Sequence, residues 1–232
     1  MIRWESTTAD SRQTKDQMNS YKQPRCPATA EFIEKKSRFI GHISPIGSED
    51  EALAFVRSIR EKHREATHNV YAYRLIDNSI CRHSDDGEPS GTAGMPLLDV
   101  FVKQEIFNFC CVATRYFGGV LLGAGGLVRA YARCGAEALA ASGIIEMREM
   151  LLCSVSLPYA LYEPVRRLIT ECRAAIDTTN FGTEIDVGFS IAEEDLPALR
   201  SKLDELTAGA ISISPGRSVF QAREISATPR RL

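Results

Sequence analysis

Eight of the sixteen glycines in this 232-residue chain fall within forty residues, at Gly87, Gly91, Gly94, Gly118, Gly119, Gly123, Gly125 and Gly126. Each glycine costs the folded state roughly 0.5 to 1 kcal/mol relative to alanine, because it has more backbone freedom to lose. A chain carries such a concentration where its backbone must turn sharply or approach something closely. The glycines form two loops, about Ser84 to Pro96 and Arg115 to Gly126, and the functional surface is expected around them.

The flanking patterns place these loops in a mixed α/β fold. AEFIEKKSRFIGHISPI reads as two short strands around a Lys-Lys-Ser turn. Ser48-Glu49-Asp50-Glu51 has capping-box spacing, and Ala52, Phe55, Val56, Ile59 and His63 then recur on one helical face. HNVYAYRLI reads as a strand turned by Asp77-Asn78-Ser79 into a partner. Pro96 is suited to open a short helix, FNFCCVATRYF is apolar enough for a central strand, and a helix over about Leu127 to Ala141 should close at Gly143. From about Met147 the order becomes strand, helix, strand, strand, helix, strand, ending on AISIS, which is the ferredoxin-like βαββαβ plan. The expected organisation is a flexible polar arm over 1–29, an α/β (α+β) domain over 30–146, a second domain over 147–214 and a basic tail over 215–232.

Charge and cysteine usage narrow the function classes. Net charge is +2 for 1–29, −2 for 30–150, −5 for 151–214 and +3 for 215–232, so neither folded segment is basic. Binding of nucleic acid by bulk phosphate neutralisation is therefore disfavoured, although the tails leave RNA contact open. Seven scattered cysteines with no C-x-x-C pair, mostly in apolar runs, read as reduced, buried thiols, and the four histidines have no zinc-site spacing. The first residues lack the apolar core of a signal peptide and no run of eighteen apolar residues occurs, which predicts a soluble, cytoplasmic protein.

Within the first loop, Asp85, Asp86 and Glu88 stand beside Gly87, Ser90, Gly91 and Thr92. Backbone N–H groups there could form an anion-binding nest and the carboxylates could hold a hard cation; a solvated Asx and proline turn is the plainer reading. The second loop, with Arg115, Tyr116, Phe117, Gly118 and Gly119, leads to Gly123, Gly125 and Gly126 at the start of a helix bearing Arg129 and Arg133. A helix N-terminus with arginines attracts phosphate or carboxylate; close strand-to-helix packing needs the same glycines. It is neither a Walker loop nor a full G-x-G-x-x-G. His68 is suited to an acid, base or ligand role, or to a structural hydrogen bond. The aromatics Tyr71, Tyr73, Tyr116 and Phe117 suit base stacking or the core. No nucleophile elbow occurs, and Cys110 and Cys111 lie in an apolar strand. No metal and no cofactor are expected.

The stretches EFIEKKSRFIGHISPI, ATHNVYAYRL, SDDGEPSGTAGMPLLDV and TRYFGGVLLGAGGLVRAY together resemble the IMPACT family, including its bacterial YigZ-like members. The resemblance covers 30 to about 140, and the βαββαβ segment is similar to the extra C-terminal domain of the bacterial proteins. It implies a first domain with the fold shared by a ribosomal small-subunit protein domain, GHMP kinases and the fourth domain of elongation factor G, and a second like that factor's fifth domain. It also implies a translation-linked role: eukaryotic IMPACT restrains starvation signalling to translation initiation by binding a partner protein. The family's shared surface maps onto His68, the loop Asp85 to Gly94, Arg115 to Gly119, and Gly123 to Arg129. Two functional readings follow. The first is a non-enzymatic regulator that binds a component of the translation machinery, protein or RNA, through the glycine-rich loops. The alternative is a GHMP-kinase-like phosphotransferase or a hydrolase that binds nucleotide or phosphate there.

Overall fold

The computed structural model describes residues 19–223. Within them the chain is a mixed α/β structure with two antiparallel sheets and five α-helices. Contacts divide it into two units, the second being Met147–Ala222.

In the first unit, β1 (Ser20–Pro24) is followed by the hairpin of β2 (Ala28–Glu34) and β3 (Ser37–Pro45). Lys35 and Lys36 form its two-residue turn, both at positive φ, 44° and 65°. This left-handed pair has the backbone twist that lets two strands close tightly. Helix α1 (Glu49–Lys62) begins at Ser48, whose hydroxyl accepts the Glu51 N–H, while the Glu51 carboxylate accepts from Gly47. β4 (His68–Arg74) pairs with β5 (Cys81–Ser84); α2 (Gly94–Val102), β6 (Phe109–Tyr116) and α3 (Ala124–Ser142) complete the unit. The sheet order β2-β3-β6-β4-β5 makes the apolar β6 central. Its alternation sorts the core: Phe109, Cys111 and Ala113 face α2 and α3, whereas Cys110 and Val112 face α1.

The second unit contains β7 (Ile144–Leu157), which starts in the first unit, then α4 (Tyr162–Glu171), β8 (Ala175–Phe181), β9 (Ile185–Ile191), α5 (Leu196–Thr207) and β10 (Ser214–Arg223). Its sheet runs β7-β9-β8, and β10 pairs with β7. Val155, Leu157, Val187 and Phe189 pack under Val165, Ile169, Leu199 and Leu203 of the two helices.

The structure differs from expectation at both ends of the chain. Residues 20–24 of the expected arm are a strand: Tyr21 is 7% exposed, its hydroxyl accepts from Asn108, and Lys22 C=O accepts the Phe107 N–H. One tyrosine in a polar stretch is too little pattern to mark a strand. The last strand is 214–223, almost wholly inside the expected tail; of AISIS it takes only Ser214, and Ile211 and Ile213 are buried ahead of it without a ladder. Pro215 and several polar residues mask it, as is usual of an edge strand. The rest of both expected tails, 1–18 and 224–232, lies outside the described residues.

Candidate functional site

Register brings the site together. His68, the first residue of β4, lies directly across from Arg115 of β6, so both side chains leave the sheet on the α2/α3 face at one end. The loop between β5 and α2 returns to that end and inserts Glu88. Arg115 Nη1 donates to Glu88 Oε1 at 2.6 Å, and the Tyr131 hydroxyl of α3 donates to the same oxygen at 2.8 Å. Arg115 Nη2 reaches Ser37 Oγ at 3.3 Å, and the guanidinium lies 5.5 Å from the Phe39 ring centre and 5.4 Å from that of Phe117. Its Nε is buried with no partner among the described residues. Burial, then the neighbouring carboxylate, push the Tyr131 phenol well above its ordinary pKa, so it stays a donor.

The other two acidic residues of the loop turn inward as well. Asp85 accepts three backbone N–H groups, from Gly91, Ala93 and Gly94, and so caps α2. Its burial alone would raise its pKa, but the three N–H bonds outweigh that and hold it below the usual carboxylate range. This cap moves the helix start to Gly94 and leaves Pro96 inside the first turn. Asp86 takes Arg60 on one oxygen at 2.5 Å and the Asn69 N–H on the other at 2.6 Å. Its carbonyl accepts from His68 Nδ1 at 2.8 Å. A carbonyl only accepts, so the proton sits on Nδ1, and in the neutral ring Nε2 is an acceptor facing Glu88 Oε1 at 3.8 Å.

Above this polar floor lies a cavity of about 400 Å³, lined by Thr67, His68, Gly87, Glu88, Pro89 and Arg115 below and by Phe117, Leu121, Leu122, Gly123, Ala124 and Leu127 above. Gly87 packs against the His68 ring. Phe117 and Leu121 are 45% and 81% exposed, so the mouth is apolar. The second loop is held from below: Gly118 N–H donates to Ser37 Oγ, Phe117 N–H to Thr67 Oγ1, and Gly118 sits against the Lys36 carbonyl.

His68, Gly87, Glu88, Arg115, Phe117 and Gly123 of the expected site thus converge on one cavity. Asp85, Asp86 and Thr92 build its frame; the Thr92 hydroxyl donates to Pro89 C=O. Ser90, Gly91 and Gly119 are surface turn residues, and Gly125 and Gly126 belong to the first turn of α3. Tyr116 leaves the sheet on the opposite face, where its hydroxyl meets His63 Nδ1 at 2.9 Å. Arg129 lines a smaller neighbouring hollow of about 200 Å³ with Lys35 and Arg133, and Arg133 is taken up by Glu137 at 2.7 Å. Tyr131, Ser37, Thr67, Leu121 and Leu122 are not legible as site residues in the sequence. The only signal for Tyr131 is its place on the buried stripe of α3, four residues after Leu127. Among the described residues no group of three or more His, Cys, Asp or Glu is placed to hold a metal, and no helix is long and apolar enough to cross a membrane.

Comparison with known proteins fits this geometry to a family. The Impact N-terminal domain matches residues 35–139, and a domain of unknown function, DUF1949, matches 155–210. The IMPACT family member YvyE of Bacillus subtilis is 35% identical over 84% of this chain and 91% of its own. The IMPACT family member YigZ of Escherichia coli is 29% identical over 84% of this chain and 98% of its own. Protein IMPACT of Rattus norvegicus is 31% identical over 40% of this chain and 31% of its own. A crystal structure described as that of a hypothetical protein aligns with a TM-score of 0.55 at 28% identity, over 84% of this chain and 97% of that one. With two matched domains in order and a relative aligned over nearly its whole length, this chain belongs to the IMPACT family.

Proposed function

We propose that this protein is a cytoplasmic, non-enzymatic regulator linked to translation, which binds a ribosome- or factor-associated partner through the surface of its two glycine-rich loops. One observation carries the reading: the charged groups of the loops are bonded to the body of the domain, while apolar side chains of the second loop face outward. Asp85, Asp86, Glu88 and Arg115 are committed to internal bonds that make the loops a rigid frame. Phe117 and Leu121 stand exposed on that frame around a cavity. A rigid scaffold with an apolar rim suits recognition, which gains from preorganisation and from a dry centre.

Family membership supports the translation link, since the resemblance to eukaryotic IMPACT implies partner binding in translation control. We further assign the first unit to the fold shared with the fourth domain of elongation factor G and the second to the ferredoxin-like fold. The βαββαβ order of the second unit, with β10 on β7 and β9 between β7 and β8, supports the latter. The phosphotransferase alternative receives no support, because each carboxylate that would hold a cation already accepts hydrogen bonds from the protein.

The test is co-sedimentation of the full chain with ribosomes across a salt series, beside the Leu121→Arg variant. Leu121 is 81% exposed, so its replacement should leave folding intact and weaken association. Binding that persists at high salt and drops in the variant supports a protein contact at the loops. A steep loss with salt that ignores Leu121 would assign the affinity to RNA phosphates instead. No co-sedimentation of either protein at any salt would overturn the proposal.

A further inference from the structure

The cavity floor is short of hydrogen-bond donors. A carboxylate offers about four acceptor positions. Among the described residues, both donors to Glu88, Arg115 Nη1 and the Tyr131 hydroxyl, land on Oε1, and no donor reaches Oε2. The side chain is 3% exposed, and what remains accessible lines the cavity. Beside it, His68 Nε2 faces Glu88 Oε1 at 3.8 Å, too far for a hydrogen bond. One oxygen of a nearly buried carboxylate therefore borders the cavity with no protein donor on it, a costly arrangement in a partly desolvated site. Arg115 balances the charge of Glu88 at 2.6 Å, so the missing group need not be a cation. Its own orphaned Nε is sealed inside the protein and takes no part.

The remaining walls are mainly apolar, with Pro89, Phe117, Leu121, Leu122 and Leu127 beside Thr67 and the start of α3 at Gly123 and Ala124. The volume of about 400 Å³ falls within the roughly 300–1,000 Å³ of natural ligand pockets. A group that fits must be flat or bulky and apolar over most of its surface, with one donor at its far end. We infer that the cavity receives a tyrosine or tryptophan side chain of a partner protein, its phenol O–H or indole N–H donating to Glu88. Such side chains are the ones most often found as buried anchors at interfaces, because a single polar tip completes an otherwise apolar fill. A nucleobase suits the cavity less well, since its several polar edge groups would meet a mainly apolar lining. This deepens the proposed binding role and rests on the same loop surface.

The experiment uses the full chain and isolated side-chain mimics, followed by NMR or calorimetry: the N-acetyl amides of tyrosine, tryptophan and phenylalanine, with uridine and adenosine as nucleobase probes. The tyrosine and phenylalanine amides differ by one hydroxyl. Saturable binding of the tyrosine or tryptophan amide, at least tenfold tighter than the phenylalanine amide and lost in Leu121→Arg, supports the inference. Equal binding of the tyrosine and phenylalanine amides would overturn the donor-reading role of Glu88. Preference for a nucleoside would replace the protein anchor by a base, and no saturable binding of any probe at millimolar concentration would remove the pocket as a binding site. Because no ribosome is present, amide binding without co-sedimentation would keep this inference and sink the translation-linked reading, and the reverse result would do the opposite.

Discussion

Glu88 and Arg115, twenty-seven residues apart in sequence, meet at 2.6 Å with only 3% and 6% of their side chains exposed. Removing one member of a buried pair strands the other's charge, which costs about 3–5 kcal/mol, whereas replacing both by apolar residues of similar size is often far milder. Arg115→Ala and Glu88→Gln should each lower the urea midpoint strongly, and Glu88→Leu combined with Arg115→Met should recover much of the loss. Urea unfolding of the four proteins measures this cycle. Single losses of less than about 1 kcal/mol would mean that water reaches the pair. Either single variant is a poor probe of partner binding, because it disturbs the frame before it touches the surface.

Asp85 is the corresponding element for the helix that follows the first loop. Its carboxylate serves the N–H groups of Gly91, Ala93 and Gly94 at 2.9, 3.1 and 2.7 Å. Asp85→Ala leaves these donors without an acceptor and should cost about 1–3 kcal/mol, with Asp85→Asn losing less because one oxygen remains. The folded pKa is lowered, so the contribution is present above the unfolded carboxyl value, about 3.8, and fades as pH falls through the folded one. Thermal melts from pH 5 to pH 2 should show the wild-type advantage over Asp85→Ala shrinking at the acid end. A constant difference across that range would mean that hydrogen bonding without charge accounts for the cap.

How much of this can be read from the residues depends on the range of the interaction. Helix α1 is legible because its signals are local: Ser48 and Glu51 lie three residues apart, and its buried positions follow one helical period. β6 is legible because an unbroken apolar run has few places except the centre of a sheet. β1 and β10 are hidden because pairing needs only backbone and their side chains are mostly polar. The site shows the same division. The glycine spacing locates both loops, but three neighbouring carboxylates look alike in sequence. Only the fold assigns Asp85 to the α2 cap, Asp86 to Arg60 and Asn69, and Glu88 to Arg115 and Tyr131. Those partners are set by strand register and helix packing, and no local pattern encodes them. The same applies to Tyr116, where the alternation of a single strand sends it away from Arg115.

Gly118 and Gly119 are neighbours with different physical requirements. A Cβ on Gly118 would lie 2.0 Å from the carbonyl carbon and oxygen of Lys36, backbone atoms of the β2–β3 turn that cannot swing aside. On Gly119 a Cβ would meet nothing within 4 Å, but φ is +80°. Gly119→Ala should therefore cost only the left-handed strain, about 1–2 kcal/mol. Gly118→Ala should cost more, because the loop must leave the hairpin and give up its bond to Ser37. Equilibrium unfolding separates the two, and equal costs would show that the loop gives way without resistance.

His42 sets a second window of pH dependence, on the sheet face away from the cavity. Its Nδ1 meets Thr29 Oγ1 at 3.1 Å, its Nε2 is buried without a partner among the described residues, and its ring lies 4.9 Å from that of His63. Burial, then the charges of His63 and Lys62, lower its pKa from 6.5 to about 4; His63 is lowered too, by burial and by Lys62 and Arg38. Between these limits the unfolded chain binds more protons than the folded one, so stability is full above pH 6.5 and declines as pH falls toward 4, below which it levels off. Each tenfold weakening of proton binding on folding is worth about 1.4 kcal/mol, so His42 accounts for a loss on the order of 3 kcal/mol. His42→Gln, which keeps an acceptor for Thr29 and cannot titrate, should flatten most of the slope of unfolding free energy between pH 4 and 6.5, leaving the smaller share of His63. An unchanged slope in that variant would mean that His42 is already protonated in the folded protein, or that His63 alone carries the titration.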